Sequence, residues 1–285
     1  GFAAACNQGA AAANGRYLVF LNHDTEVLPG WLAGLLAPLA GASGVGLTTS
    51  KLLLMSQPGQ INMCGQDVHY SGLTFGRGAL EPADRYAAPA EVSAVSGASF
   101  AISRGLWESL GGLDGDLFMY FEETDLSWRA LVAGYASLYA PASVAYHDYK
   151  LRATPTTLAY AARNRLILML KLWRWPMLLC LLPGILLAEL LDWGLMCRLG
   201  PVAVTAKLHS YTWLARHAPA VIKSRRTAAA TPRLPDWRLL ERCVARLSPR
   251  VVTGGPVGRF VVAACNVLLS ANYRLALGFG RRVGL

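Results

Sequence analysis

Short apolar runs alternate with helical patterns along the first half of the chain. Residues 2–14 are rich in alanine and predict a helix, and residues 17–22 (YLVFLN) predict a strand buried on both faces, because no polar residue breaks the run. A second predicted helix begins at Pro29, and a second predicted strand covers 45–49. This alternation predicts an α/β domain with a mostly parallel sheet flanked by helices.

The same pattern continues in shorter elements as far as Asp148. Glycine, proline and alternating patches divide residues 55–90 into a predicted hairpin and loops beside the sheet. The remaining predicted elements are a strand region at 92–103, a short helix at 106–110, a helix at 122–133 and two strands within 137–147, separated by Pro141.

From residue 156 the pattern changes to long helices. Residues 175–188 are uncharged for 14 residues, but Glu189 and Asp192 follow, and Pro183 lies inside the run. A membrane-spanning helix needs about 20 apolar residues, and a carboxylate at its centre costs roughly 2.5–3.5 kcal/mol. The pattern therefore favours a helix pair in or against a membrane interface, with spanning left open.

Charge divides the chain at the same place. Residues 1–150 contain 7 Lys/Arg and 13 Asp/Glu, whereas residues 151–285 contain 20 Lys/Arg and 4 Asp/Glu. An apolar fraction of 54% with 15% charged residues excludes a disordered protein. A basic, oily rear half favours an anionic lipid surface over nucleic acid. The scattered cysteines indicate neither a zinc site nor a disulfide framework.

Three parts follow from these patterns. Residues 1–150 are expected to form the α/β domain and 151–226 a membrane-associated helical region. Residues 227–285 are expected to form a linker, at 227–235, and an amphipathic basic tail with an apolar run at 260–273.

Acidic residues follow the first predicted strand. In an extended chain residues i and i+2 point the same way, so Asp24 and Glu26 of NHDTE can face one point. Open α/β sheets bind ligands at the carboxyl ends of their strands, and two carboxylates there suit Mg²⁺ or Mn²⁺. The alternative is a polar turn in which Asp24 caps the next helix.

Two further candidates lie later in the chain. Glu122 and Glu123 begin a predicted helix, where a carboxylate could serve as a general base for an acceptor hydroxyl. The alternative is stabilisation of the helix dipole, with Asp125 and Arg129 as an ordinary i,i+4 ion pair. His147 ends a strand-like run and becomes a metal-ligand candidate only if that strand ends beside the Asp24 motif.

In order along the chain, these segments resemble the family 2 glycosyltransferases, of the rhamnosyltransferase-like kind. The matching stretches are GFAAACNQGAAAANGRYLVFLNHDTEVLPGW, VSGASFAISR, LGGLDGDLFMYFEETDLSWRA, the YHD around His147 and AARNRLILMLK. The resemblance implies a GT-A fold and an inverting, metal-dependent hexosyl transfer. The donor would be a nucleoside-diphosphate sugar, and the acceptor a hydroxyl of a glycan or lipid-linked molecule.

The resemblance also assigns roles. Asp24 and Glu26 occupy the position of the metal motif, His147 that of a third ligand to Mg²⁺ or Mn²⁺, and Glu123 that of the catalytic base. The implied substrate-binding residues are Glu122, Asp125, Trp128, Arg129, Gly97 and Ala98. Family members begin with a further nucleotide-binding segment, so the chain is expected to be an N-terminally truncated fragment, with half its donor site missing and reduced or no activity alone.

The expected location is the cytoplasmic face of the cell membrane, peripheral or partly inserted, in the synthesis of a cell-surface or cell-wall polysaccharide. Two alternatives stay open. One is a non-catalytic membrane-associated scaffold descended from such an enzyme, because Glu123 stands where the family usually has Asp. The other is a sugar nucleotidyltransferase, which shares the α/β layout and the use of a metal.

Overall fold

The computed structural model describes residues 1–41, 43–150, 154–230, 234–248 and 255–285. The chain divides into two compact units. The first unit comprises residues 1–67 and 75–151, and the second comprises residues 68–74 and 152–285.

The first unit is a mixed α/β structure. Its helices are α1 (Phe2–Ala12), α2 (Trp31–Gly41), α3 (Arg104–Leu110) and α4 (Glu122–Val132). Its strands are β1 (Tyr17–Leu21), β2 (Thr25–Val27), β3 (Val45–Leu54), β4 (Gln57–Met63), β7 (Ala90–Val92), β8 (Ser99–Ser103) and β9 (Ala136–His147). Between β4 and β7, β5 (Gln66–Val68) pairs with β6 (Thr74–Gly76), and their connection belongs to the second unit.

The central sheet has the order β1-β8-β3-β9-β2, with β4 added to β3 and β7 added to β9. The α/β class expected from the sequence is confirmed, but the sheet is mixed in direction. The pair β3–β9 is parallel, whereas β1–β8, β3–β8, β3–β4, β2–β9 and β7–β9 are antiparallel. Hydrophobic periodicity predicts strands but carries no information on which way a neighbour runs.

Helices pack on both faces of this sheet. Successive side chains of β3 point to opposite faces and contact different helices. Leu47 is fully buried in a cluster that includes Trp107 of α3 and Leu126 of α4. The next residue, Thr48, points to the opposite face and donates its hydroxyl to the carbonyl of Leu35 in α2 at 2.8 Å. Helices therefore contact β3 on both faces of the sheet.

Two strand predictions need correction. The YLVFLN segment is not buried on both faces: only Leu18 of β1 is buried, and Leu21 is 42% exposed. Within the described residues, β1 pairs only with β8. Residues 137–147 lie in one strand, not two. Pro141 falls where the β3–β9 register jumps from Ser50↔Ala140 to Lys51↔Val144, so an irregularity absorbs the proline without ending β9.

The second unit is helical. Its helices are α5 (Pro155–Leu172), α6 (Trp175–Leu199), α7 (Pro201–Arg216), α8 (Ala218–Ala230), α9 (Asp236–Glu241) and α10 (Pro256–Val283). Of the predicted linker at 227–235, residues 231–233 lie outside the described part of the chain.

The expected helix pair is instead the single helix α6, which continues through Pro183. Proline lacks an N–H and normally breaks or kinks a helix. Here the side chain of Asn272 in α10 accepts from the N–H of Gly184 at 3.2 Å and donates to the carbonyl of Cys180 at 2.9 Å. This bridge satisfies backbone groups on both sides of the proline and explains why α6 is not divided.

The two acidic residues of α6 are half-buried and form ion pairs with buried basic residues. Glu189 contacts Arg165 of α5 and, at 2.8 Å, Lys207 of α7, and Asp192 contacts Lys207 as well. Lys207 is 1% exposed and Arg165 is 2% exposed. The carboxylates that interrupt the apolar run therefore face basic partners inside the helical unit.

Candidate active site

A carboxylate and an imidazole meet where β2 begins and β9 ends. The Oδ1 atom of Asp24 lies 3.4 Å from Nε2 of His147. The backbone holds the pair in place, because Asp148 N–H donates to the carbonyl of Asp24 at 2.9 Å and Thr25 pairs with His147 across the two strands. Two residues far apart in sequence are thus brought together, as the resemblance implied.

A contact with Asn62 of β4 determines which ring nitrogen of His147 carries the hydrogen. The Oδ1 atom of Asn62 lies 2.9 Å from Nδ1 of His147, and since an amide oxygen only accepts, Nδ1 carries the hydrogen. Burial lowers the pKa of His147 despite the opposing effect of Asp24, so the ring is neutral at neutral pH. Nε2 then presents a lone pair towards the carboxylate.

Oδ1 of Asp24 and Nε2 of His147 both present lone pairs and lie 3.4 Å apart, so a positive charge between them would be stabilised. Oδ1 of Asp24 is buried and has no hydrogen-bond partner, which costs free energy unless a ligand supplies one. A carboxylate oxygen and a neutral imidazole nitrogen, the latter oriented by a second residue, are a donor set that Mn²⁺ accepts. The arrangement therefore fits a divalent cation.

Glu26 does not join this pair. The expectation that residues 24 and 26 face one point holds for extended chain, but Asp24 lies in a turn and only residues 25–27 form β2. Within β2, Glu26 is paired with Tyr146 and is exposed, so it lies on the opposite face from the Thr25–His147 pair. In the described part of the chain no group of three His, Cys, Asp or Glu residues is placed to hold a metal.

Glu123 is held at the start of α4 by an amide. Gln66 Nε2 donates to Oε1 of Glu123 at 2.6 Å, and Gln66 is itself oriented because its Oε1 accepts from the hydroxyl of Thr124 at 2.8 Å. Burial raises the pKa of Glu123, and the hydrogen bond from Gln66 opposes this only in part. A positioned carboxylate with a raised pKa is suited to removing a proton.

Gly97 lies beside the carboxylate of Glu123, and Ala98 lies beside the turn that contains Asp24. A Cβ at position 97 would lie 3.4 Å from Cδ of Glu123, so the backbone of Gly97 lies directly beside this carboxyl group. The carbonyl of Ala98 accepts from the N–H of Asn22, two residues before Asp24, at 3.0 Å. The three segments, 22–24, 97–98 and 123, are thus neighbours around one edge of the sheet.

The segment before α4 is strained. Phe118, Tyr120 and Phe121 all have positive φ, at 63°, 68° and 73°, a region that costs a non-glycine residue roughly 1–3 kcal/mol. Met119 N–H donates to the carbonyl of Leu117 at 2.8 Å, which closes a tight three-residue turn on Phe118. Such strain is typical of functional loops, and here it directly precedes Glu122 and Glu123.

The other predicted substrate residues have structural surroundings. Arg129 donates to Asp125 at 2.7 Å and to the carbonyls of Leu110 and Gly112 at 2.6 and 2.8 Å, so its guanidinium ties α4 to the turn after α3. Trp128 is fully buried and Glu122 is 1% exposed. The roles expected for Glu122, Asp125, Trp128 and Arg129 stay predictions.

The sequence reasoning missed Asn62 and Gln66. Both lie in the stretch assigned to a hairpin and loops, where single amide side chains are common and follow no pattern. No local signal distinguishes them; their importance comes from the residues they contact in the folded chain.

If Asp24 and His147 bind a divalent cation, Asn62→Ala should weaken that binding without removing a ligand. Residues that orient metal-binding histidines contribute about 10–100-fold in affinity or activity, so Mn²⁺-dependent turnover should require a correspondingly higher Mn²⁺ concentration. The control is Asn14→Ala at an exposed position after α1. An unchanged Mn²⁺ dependence in Asn62→Ala would mean that the orientation of His147 is irrelevant to the metal.

The first part of the chain matches a known family. Residues 1–48 match the model of glycosyl transferase family 2. The uncharacterized protein y4gI of Sinorhizobium fredii is 29% identical over 154 residues, which are 51% of this chain and 17% of y4gI. The chain therefore spans only a small part of that relative.

Among solved structures, the crystal structure of GalNAc-T7 with UDP, GalNAc and Mn²⁺ aligns with a TM-score of 0.51 and 21% identity, over 65% of this chain and 37% of that one. A mannosyltransferase from Pyrobaculum calidifontis, in complex with GDP-Man and Mn²⁺, aligns over 98% of this chain and 66% of that one. Its identity is 15%, and its TM-score of 0.39 is too low to support an argument. The GT-A-type fold and the family 2 resemblance expected from the sequence are confirmed.

Proposed function

We propose that this family 2 glycosyltransferase-like protein transfers a sugar from a nucleoside-diphosphate donor to an acceptor hydroxyl with inversion. The observation that carries the proposal is the buried, unpartnered Oδ1 of Asp24 facing the lone pair of His147. The solved GalNAc-T7 carries UDP and Mn²⁺, which supports a metal-assisted transfer here.

In this mechanism Asp24 and His147 would hold Mg²⁺ or Mn²⁺, and Asn62 orients the imidazole. The ion would supply positive charge against the diphosphate leaving group. Glu123 accepts the proton of the acceptor hydroxyl as that oxygen attacks the sugar carbon. Gln66 holds the carboxylate in position, and the backbone of Gly97 lies beside it.

We further propose that the helical unit associates with a membrane, where a lipid-linked or cell-surface glycan would be the acceptor. Helices α6 and α10 are each long and apolar enough to cross a bilayer, and only 17% and 22% of their apolar windows are buried. A core helix of a soluble protein would be mostly buried. With 25 residues, α6 is about 37 Å long, against a hydrocarbon thickness of about 30 Å.

The test is sugar transfer by the complete gene product with UDP- and GDP-sugars, Mn²⁺ and a membrane lipid extract. Asp24→Asn should lower turnover by about 10²-fold or more, because it removes a charged ligand from the leaving-group site. Glu26→Gln changes a carboxylate two residues away and should have a much smaller effect. Full activity in Asp24→Asn, or an equal loss in Glu26→Gln, would contradict the proposed metal site.

A further inference from the structure

The helical unit contains a cavity that the proposed chemistry does not use. It has a volume of about 620 Å³ and lies between one face of α5 and one face of α7. Its lining residues recur at helical spacing, from Pro155 to Arg163 on α5 and from Pro201 to Trp213 on α7. At 1.5 Å per residue these faces are about 12 and 18 Å long, so the cavity is an elongated groove.

The wall of this groove is apolar, with a cation near one end. Ala159, Val202 and Ala206 line its length. Arg163, 7% exposed, places its guanidinium carbon 4.6 Å from the ring centre of Tyr160 and 4.3 Å from that of Trp213. Two aromatic rings and the bond from Nε to Asn164 at 2.8 Å hold this charge in a fixed position.

The electrostatics of the groove favour an anion. None of the described residues that line it is acidic, and His209 adds a second basic side chain. Helices α5 and α7 both begin at the groove, with Pro155 and Pro201 at their first turns. These two starts lie at the other end of the groove from Arg163, which contacts Trp213, so the fixed charge at the Trp213 end is that of Arg163.

Its surroundings favour a lipid. Helix α6, which connects α5 to α7, presents Leu179, Leu186 and Leu190 to the outside at 65%, 55% and 69% exposure. An exposed apolar surface of this kind is typical of contact with a membrane. A ligand taken from a membrane would be amphipathic, with an apolar chain and a charged head.

We propose that the α5–α7 groove binds a membrane lipid with an anionic phosphate headgroup. The apolar wall receives the chain of the lipid, and Arg163 receives the phosphate at the Trp213 end. The site lies wholly within the second unit and does not depend on the proposed sugar transfer, so its failure would leave that function untouched.

The test measures binding to the complete chain in nonionic detergent micelles by native mass spectrometry. The probes are dioctanoyl phosphatidic acid, dioctanoylglycerol, which has the same chains without phosphate, and inorganic phosphate. Phosphatidic acid should bind at least about tenfold more tightly than either of the others, because the phosphate forms charge-assisted hydrogen bonds. Equal binding of dioctanoylglycerol, or full competition by inorganic phosphate, would overturn the proposal.

Two pairs of variants locate the site. Val202→Trp fills the groove from a position 56% exposed and should weaken binding about tenfold, whereas Leu208→Trp, 49% exposed on α7 but outside the groove, should not. Arg163→Gln should weaken binding more than Arg163→Lys, with Arg216→Gln on the same unit as control. Unchanged binding in a folded Val202→Trp would place the lipid elsewhere and refute the assignment.

Discussion

Replacement of Glu123 by Gln is expected to lower kcat by about 10²–10⁴-fold, the usual contribution of a positioned general base. The amide keeps the shape of the side chain and its contact with Gln66 but cannot take the proton of the acceptor hydroxyl. Sugar transfer by the complete gene product at saturating donor and Mn²⁺ measures the effect. The matched control is Glu108→Gln, an exposed carboxylate of the same unit, 62% accessible, which should leave kcat unchanged.

The same substitution should make the protein more stable. Burial raises the pKa of Glu123, so the folded state holds this proton at pH values where the unfolded state has lost it. The ionised carboxylate therefore costs stability, and the cost grows as pH rises from the unfolded pKa through the folded one. Glu123→Gln should thus gain stability relative to the wild type at neutral pH, and the gain should disappear in acid, below the unfolded pKa.

Wild-type activity should follow the same titration in the opposite sense. A base works only when deprotonated, so activity should fall as pH drops through the raised pKa of Glu123, above the range of an ordinary glutamate. Loss of activity together with gained stability separates a catalytic role from a structural one. An active Glu123→Gln variant, or one that loses activity only because it unfolds, would remove this residue from the mechanism.

Replacement of Lys207 by Met is expected to destabilise the helical unit by about 3–5 kcal/mol. Removal of one partner from a buried ion pair leaves an uncompensated charge in a medium that solvates it poorly. Here two carboxylates, Glu189 and Asp192, would lose a shared cation, and Arg165 would be the basic side chain that remains beside them. Chemical denaturation in detergent micelles, followed by circular dichroism, measures the loss.

Arg216→Met removes an exposed basic residue from the same helix and should change stability little. The double variant Lys207→Met/Asp192→Asn removes one charge of each sign and should recover part of the lost stability, because fewer buried charges remain unpaired. Equal stability of Lys207→Met and Arg216→Met would show that the cluster is solvated in solution.

The sequence predicts the elements of this protein better than their pairing. The helices at 2–12, 31–41 and 122–132 follow directly from apolar spacing and from Gly and Pro at their ends. The direction of the neighbours of β3 and the continuity of β9 through Pro141 depend on register, which involves residues about 90 positions apart. The unbroken course of α6 depends on Asn272, which no local pattern connects with Pro183.

The candidate site divides in the same way. Asp24, Glu123 and His147 could be identified because their types and order match a known family. The prediction for Glu26 assumes an extended chain from residue 24 to residue 26, whereas Asp24 lies in a turn before β2. Asn62 and Gln66 follow no recognisable sequence pattern, because their contribution is a hydrogen bond to a residue far away in the chain.

The central claim is that Asp24 and His147 share one cation, and pulsed EPR of the protein with bound Mn²⁺ tests it most directly. The wild type should show the coupling of a directly bound imidazole nitrogen. That coupling should vanish in His147→Gln, and Asp24→Asn should weaken Mn²⁺ binding. A Mn²⁺ signal with no nitrogen coupling in the wild type, or one unchanged in both variants, would contradict the proposed site.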